Sequence, residues 1–197
     1  MALNVANVLV GTADQTDTTG AIHYDDVIQT IPTTFAAAET AFAGMSGDST
    51  YVSADGMTLS TDTSVENIQE WNHAVVRRVL DSNDISFTFS LIQFDASSLS
   101  LALGEEYVTT TAATSTHGAE VNIKMGMHLS PVRSWGFALK DGDVKVIIII
   151  PRGQITTLDS ITFNATEAVS VPVTLSCYDD GNGEYCYIFL DDGKKTS

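Results

Sequence analysis

Residues 82–104 read S-N-D-I-S-F-T-F-S-L-I-Q-F-D-A-S-S-L-S-L-A-L-G, and no other stretch restricts the fold as tightly. Ile85, Phe87, Phe89 and Leu91 alternate with Ser86, Thr88 and Ser90. Successive side chains of a strand point to opposite faces, so this half predicts a strand with one apolar and one small polar face. At Asp95 the period changes. Asp95 is a good N-cap, Ala96, Leu99 and Leu103 recur at helical spacing, and Gly104 supplies the stop. One long strand therefore runs straight into one short amphipathic helix. The remaining chain reads as strand and loop, so this helix is expected to lie outside a sheet and cover its apolar face.

Taken in order, residues 4–12 and 20–24 predict two strands joined by a polar loop. Residues 31–47 send conflicting signals. Their alanines, with Thr34 as cap and Gly44 as stop, say helix, yet Phe35, Ala38 and Phe42 make a thin apolar face that equally fits a loop with a helical turn or two. Residues 50–62 predict extended chain with a kink at Asp55-Gly56, and residues 74–80 a further strand. Residues 105–118 are Thr/Ala-rich and read as a surface loop, followed by a strand over 119–128 with Val121, Ile123, Met125 and Met127 on one face. Residues 133–140 and 144–150 predict a hairpin about Asp141-Gly142. Its four isoleucines, 147–150, mark a strand apolar on both faces, destined for a sandwich core or a subunit contact. Strands over 154–164 and 170–178 follow, with Pro172 tolerated near a strand start or at an edge. A last strand over 184–190 and a polar tail over 191–197 end the chain. With no repeat and no low-complexity linker, the 197 residues read as a single domain, long enough to bury a core. The fold class is mainly β: an antiparallel sandwich or partial barrel with one short flanking helix and long loops.

Between two confident strands, residues 61–78 read as a long polar connection carrying Ile68 and Trp71. Connections of this length in compact domains are usually functional or mobile. An apolar pair on such a loop either docks on something or tucks into its own core. Glu66 and Glu70 lie in the same stretch, and Arg77 and Arg78 stand at its end, at the start of the next strand.

The 25 Asp and Glu against 9 Lys and Arg give a net charge of −16. A surface so negative argues against a nucleic-acid clamp and against an anionic membrane surface, since both need clustered cations. It suits a protein that must repel a polyanion, or simply a well-solvated one. The longest apolar run, residues 144–151, falls far short of the ~20 residues that span a bilayer. The N-terminus has no basic n-region, so no signal peptide is read and synthesis is expected in the cytoplasm. A turn at Gly181-Asn182 would set Cys177 opposite Cys186 across a hairpin. A cross-strand disulfide is conceivable there, but two neighbouring thiols fit a reducing cytoplasm better.

Enzyme chemistry finds no footing. G-x-S-x-G, H-E-x-x-H, C-x-x-C and the P-loop are all missing, and the four histidines have no ligand spacing. Residues 179–184, D-D-G-N-G-E, lack the spaced register and distal Glu of a calcium loop and read as a hairpin turn. No metal, cofactor or catalytic residue is expected.

Taken together the chain resembles the major tail protein, or tail tube protein, of tailed viruses with long non-contractile tails. The likeness rests on residues 31–44 running into T-Y-V-S-A-D-G-M-T, and on the acidic loop ending at Trp71 before A-V-V-R-R. The alternating strand and helix ending at Gly104, and the C-terminal P-V-T-L-S-C-Y, complete it. The resemblance implies hexameric rings of identical subunits, stacked into a tube that conducts viral DNA without binding it specifically. It implies further contacts with tail terminator, tape-measure and tail-tip proteins, a location in the virion tail, and no membrane. It makes residues 61–78 an inter-ring loop, with Glu66, Ile68, Glu70, Trp71, Arg77 and Arg78 at the stacking contact. Ser86, Thr88 and Ser90 would line the lumen or face a subunit. The alternative is a secreted or virion-surface β-sandwich that binds or decorates, though Trp71 and Trp135 are too few for a carbohydrate platform.

Overall fold

The four isoleucines are buried because both of their faces are covered from within the chain. The computed structural model describes residues 9–14, 21–26, 28–45, 51–126 and 128–194. In it the isoleucines belong to β8 (Val144–Leu158). Ile148 and Ile150 join the main core with Phe87, Phe89, Trp135, Phe137, Val173 and Leu175. Ile147 and Ile149 point the other way, into a second cluster with Ala38 and Met45. The cover on that side is α1 (Phe35–Gly44), not a second sheet or a neighbouring subunit.

Helix α1 settles the conflict in the alanine-rich stretch. Thr34 accepts a hydrogen bond from the Ala37 N–H at 3.2 Å, and Gly44 is the last helical residue. Propensity alone would leave ten residues marginal in water, so packing on β8 decides. The approach depends on Gly136, where a Cβ would sit 2.7 Å from the Phe42 ring. His23 stacks on that ring, centroids 4.1 Å apart, and its Nδ1–H donates to the Phe42 carbonyl at 3.1 Å. Two helices therefore flank the sheet, although firm helix signals exist in the sequence for only one.

That second element is α2 (Ala96–Leu103), capped and stopped as its sequence predicts. The Ser98 N–H donates to Asp95 Oδ1 at 2.9 Å, and Gly104 takes a φ of 103°. Desolvation pushes the Asp95 carboxyl up, but the Ser98 N–H and the Gln93 amide outweigh it and hold it below its ordinary value. Leu99, Leu101 and Ala102 close the main core.

The sheet is antiparallel and curled into a half-barrel. Its members are β1 (Thr12–Ala13), β2 (Ile22–Asp25), β3 (Val52–Gln69), β4 (Val75–Leu91), β7 (Arg133–Asp141), β8, β9 (Val171–Cys177) and β10 (Tyr187–Asp191). The order is β1-β7-β8-β9-β4-β3, with β2 also on β7 and β10 also on β8. Strands β1 and β2 follow one another along one edge of β7, with Thr12 opposite Lys140 and Asp25 opposite Ser134. Strands β9 and β10 do the same along β8, with Val173 opposite Leu158 and Asp191 opposite Lys145.

Several expectations need correction. The expected C-terminal hairpin does not form: β10 pairs with β8, so residues 178–186 are an excursion between two successive segments on one edge. Three pairs on the isoleucines of β8, and a fourth between Leu190 and Val146, outweigh a local turn signal. Residues 154–164 are no separate strand, because β8 continues past Pro151 to Leu158. The Thr/Ala-rich surface loop instead holds a short 3₁₀ turn (Glu105–Tyr107) and β5 (Val108–Thr111), paired with β6 (Glu120–Ile123) in a separate ribbon. Threonine suits a pleated strand once a partner is present, and propensity could not reveal that partner. The strand expected over 119–128 is correspondingly shorter, and Met127 lies outside the described residues. Most of the first expected strand, residues 4–8, lies outside them too, and the described strand begins at Thr12.

Candidate assembly surfaces

From Thr61 to Arg78 the sequence predicts a loop, and the structure has a β-hairpin. Strands β3 and β4 pair from Met57 and Phe89 out to Gln69 and Val75. No apolar alternation announces these strands because their outer halves are exposed on both faces. The turn is specific. The His73 N–H donates to the Glu70 carbonyl at 2.9 Å, and the Glu70 N–H to the Ala74 carbonyl at 2.9 Å. His73 has a φ of 66°. This is a type I turn followed by a left-handed residue, a common three-residue hairpin closure that normally favours Gly there. At the other end of β3, Gly56 at φ 74° sits in the register shift between Val52 and Met57, where the kink is expected.

The hairpin forms an arm, and it gathers all six residues singled out for stacking. Trp71 is 98% exposed at the tip. Ile68 lies opposite Arg77, and Glu66, opposite Val79, shares their face. Arg78 lies opposite Asn67 on the other face and donates from Nε to Asn67 Oδ1 at 3.3 Å. Glu70 opens the turn. Sequence reasoning missed the other apolar side chains of the arm: Val65, Val75, Val76 and Leu80 are all exposed as well. Bulges between Ser64 and Val65 and between Ile68 and Gln69 twist the arm. Among the described residues neither arginine has a carboxylate within ion-pair distance.

Below the arm the small polar face of β4 is real and wider than one strand. Ser86 lies between Ser60 and Ser176, and Thr88 between Thr58 and Thr174. Ser90 lies opposite Pro172, and Thr156 bonds Ser176 at 2.7 Å. Three strands and the end of β8 thus present one Ser/Thr surface, half-exposed, on the side opposite Phe87 and Phe89. Asp62 and Asp84 extend it towards the arm as a further cross-strand pair. At its two ends, the sheet leaves the outer edges of β3 and of β1 and β2 without a partner strand among the described residues.

Among the described residues no comparable arrangement gathers groups suited to catalysis. The carboxylates of D-D-G-N-G-E turn inwards on their own backbone: Asp180 Oδ1 accepts from the Asn182 N–H at 2.7 Å, and Asp179 Oδ1 accepts from the Gly183 N–H at 3.2 Å. No cluster among the described residues could hold a metal ion. Cys177 and Cys186 are free thiols. Burial, and after it the neighbouring Cys186, pushes Cys177 up to about 12. Arg133 is buried at the start of β7, held by Asp26 at 2.5 Å and lying 4.6 Å from the Tyr24 ring centroid, a structural clamp between β7 and the end of β2. No helix of the described residues is long and apolar enough to cross a membrane.

A curled sheet with open edges, a small polar face and a solvated apolar arm is a geometry for assembly, and the comparisons agree. Curated proteins give no match. Residues 1–196, however, match the family described as phage tail tube protein. The chain therefore belongs to the phage tail tube protein family, a structural component of the virion tail.

Proposed function

We propose that copies of this chain close edge to edge into hexameric rings, and that the rings stack through the β3–β4 arm into the tube through which viral DNA is delivered. The observation that carries this reading is the arm. A two-stranded hairpin is marginal in water, and six exposed apolar side chains from Val65 to Leu80, Trp71 among them, have no use in isolation. Large aromatics anchor subunit contacts because they bury much area while fixing few torsions. The open edges support the ring in the same way. An unpaired strand edge invites aggregation unless a neighbour covers it, and a closed ring covers every one. The Ser/Thr face around Ser86, Thr88 and Ser90 is the lumen lining in this reading, since β3, β4 and β9 offer DNA hydroxyls there, and Arg152 at its margin already donates to the Asp179 carbonyl at 3.3 Å. Synthesis in the host cytoplasm, and contacts with terminator, tape-measure and tip proteins at the ends of the tube, complete it.

The test removes the arm at a register position. Replacing residues 65–81 by Asn-Gly leaves Ser64 opposite Ser82 and closes them with a two-residue turn. The shortened chain is expected to keep its melting temperature and circular dichroism, and to form no tubes by electron microscopy. Trp71→Ala should weaken elongation in the same direction. Normal tubes from the shortened chain would sink the stacking role of the arm.

A further inference from the structure

The arm needs a seat, and the fold offers one at its other end. Strand β4 runs 17 residues from the arm turn to Leu91, about 55 Å at the usual rise per residue. Val171 lies opposite Leu91, and the Asp159 N–H donates to the Pro172 carbonyl at 3.0 Å. The segments after Leu91 and after Leu158 therefore emerge together, at the end of β4 away from Trp71. There Phe94 and Phe163 meet edge to face, ring centroids 5.6 Å apart and planes at 84°. The pair is 42% and 68% exposed, and Ile92 beside Phe94 is exposed as well. Phe163 stands on an ordered base, because Asn164 Oδ1 accepts the N–H groups of Thr166 and Glu167 at 2.9 and 2.8 Å.

Charge tells what sits on this patch. Asp159 and Glu167 flank it and have no cation within ion-pair distance among the described residues, while Arg77 and Arg78 on the arm have no carboxylate. In a chain with so few cations, two arginines, one on each face of the arm behind an exposed tryptophan, complement an acidic rim around two exposed phenylalanines. The two surfaces occupy opposite ends of one strand, so they cannot meet within one copy. Joined between copies they make a head-to-tail contact that repeats without closing, which is what a filament requires.

We propose that the Phe94–Phe163 patch is the seat for the arm tip of the copy in the next ring, with Trp71 against the two phenylalanines and the arginines against Asp159 and Glu167. The inference rests on the stacking reading given above and adds the receiving surface.

The test is complementation between two defective chains. Phe163→Asp spoils the seat and leaves the arm intact, and the chain with residues 65–81 replaced keeps the seat and lacks the arm. Phe163 is exposed, so the variant should melt as the parent does; Phe163→Ser gives the same reading should the carboxylate disturb the fold. The armless chain alone is expected to form no tubes, and Phe163→Asp alone to need at least about tenfold more protein to elongate, the size of effect seen when an interface anchor is lost. Mixed, they are expected to pair once, as complexes of two units in sedimentation and in micrographs, and to grow no further. If Phe163→Asp builds normal tubes while the armless chain does not, the seat is elsewhere and the stacking reading stands. If both build tubes, both readings fall. If neither elongates and the mixture gives no paired complexes, the arm and the patch are not partners.

Discussion

His73 shows how one residue can record a compromise. Its φ of 66° lies in the left-handed region, where an L side chain is strained and Gly is not. The arm closes there all the same, through the two turn hydrogen bonds at Glu70. His73→Gly should therefore stabilise the arm by about 1 kcal/mol, less the backbone entropy that Gly adds to the unfolded chain. Amide exchange of the arm should slow, while exchange in β8 and the global melting temperature should stay put. Faster exchange in the arm would mean that the histidine side chain contributes something its position does not reveal. The neighbouring Trp71 was legible in sequence as a residue out of place in a polar stretch, because an isolated tryptophan among charges has few structural reasons to be there. Val76 and Leu80 were not, since in A-V-V-R-R-V-L they look like ordinary strand residues awaiting a core.

At the scale of elements, what could be read was what carries its own signal. The strand-to-helix passage at Asp95 has a period, a cap and a stop, and it folds as those three predict. The hairpin about Gly142, at φ 60°, is equally local. Partners were not legible. Nothing in Y-I-F-L-D states that it pairs with β8 and not with β9, and nothing in the alternation-free half of β3 states that it is a strand at all. The same holds for α1, whose existence depends on the outer face of β8. Its contact tests that dependence. Gly136→Ala would place a methyl group 2.7 Å from Phe42 and 3.0 Å from the Met45 sulfur, so the Phe42 ring, stacked on His23, or the helix that carries it must shift. Overpacking of this kind costs about 1–3 kcal/mol, and a thermal melt of Gly136→Ala should show a loss in that range. An unchanged melt would mean that α1 rides on the sheet more loosely than its buried Ala38 implies.

The whole molecule carries −16, and in a tube that charge repeats with every copy. Duplex DNA also carries a dense negative charge, and proteins that hold it do so by placing Lys and Arg against phosphates and releasing counterions. Here the small polar face offers hydroxyls, and Asp62 and Asp84 continue it. Most of the described cations are occupied: Arg133 is buried against Asp26, Lys145 bonds Glu39 at 3.0 Å, Lys194 lies 3.4 Å from Asp192, Arg152 donates to the Asp179 carbonyl at 3.3 Å, and the arm arginines are proposed to meet the next ring. In the proposed reading, a conduit built this way repels its cargo weakly from all sides and gives it nowhere to stick. Screening hides such an effect at physiological salt, where charges more than about 8 Å apart scarcely interact, so the informative condition is low ionic strength. Assembled tubes mixed with short duplex DNA in about 10 mM salt, where the screening length is about 30 Å, should sediment without it. Retention at low salt that falls steeply as salt is added would reveal a phosphate-binding surface, and the lumen would then have to be lined by something other than the Ser/Thr face.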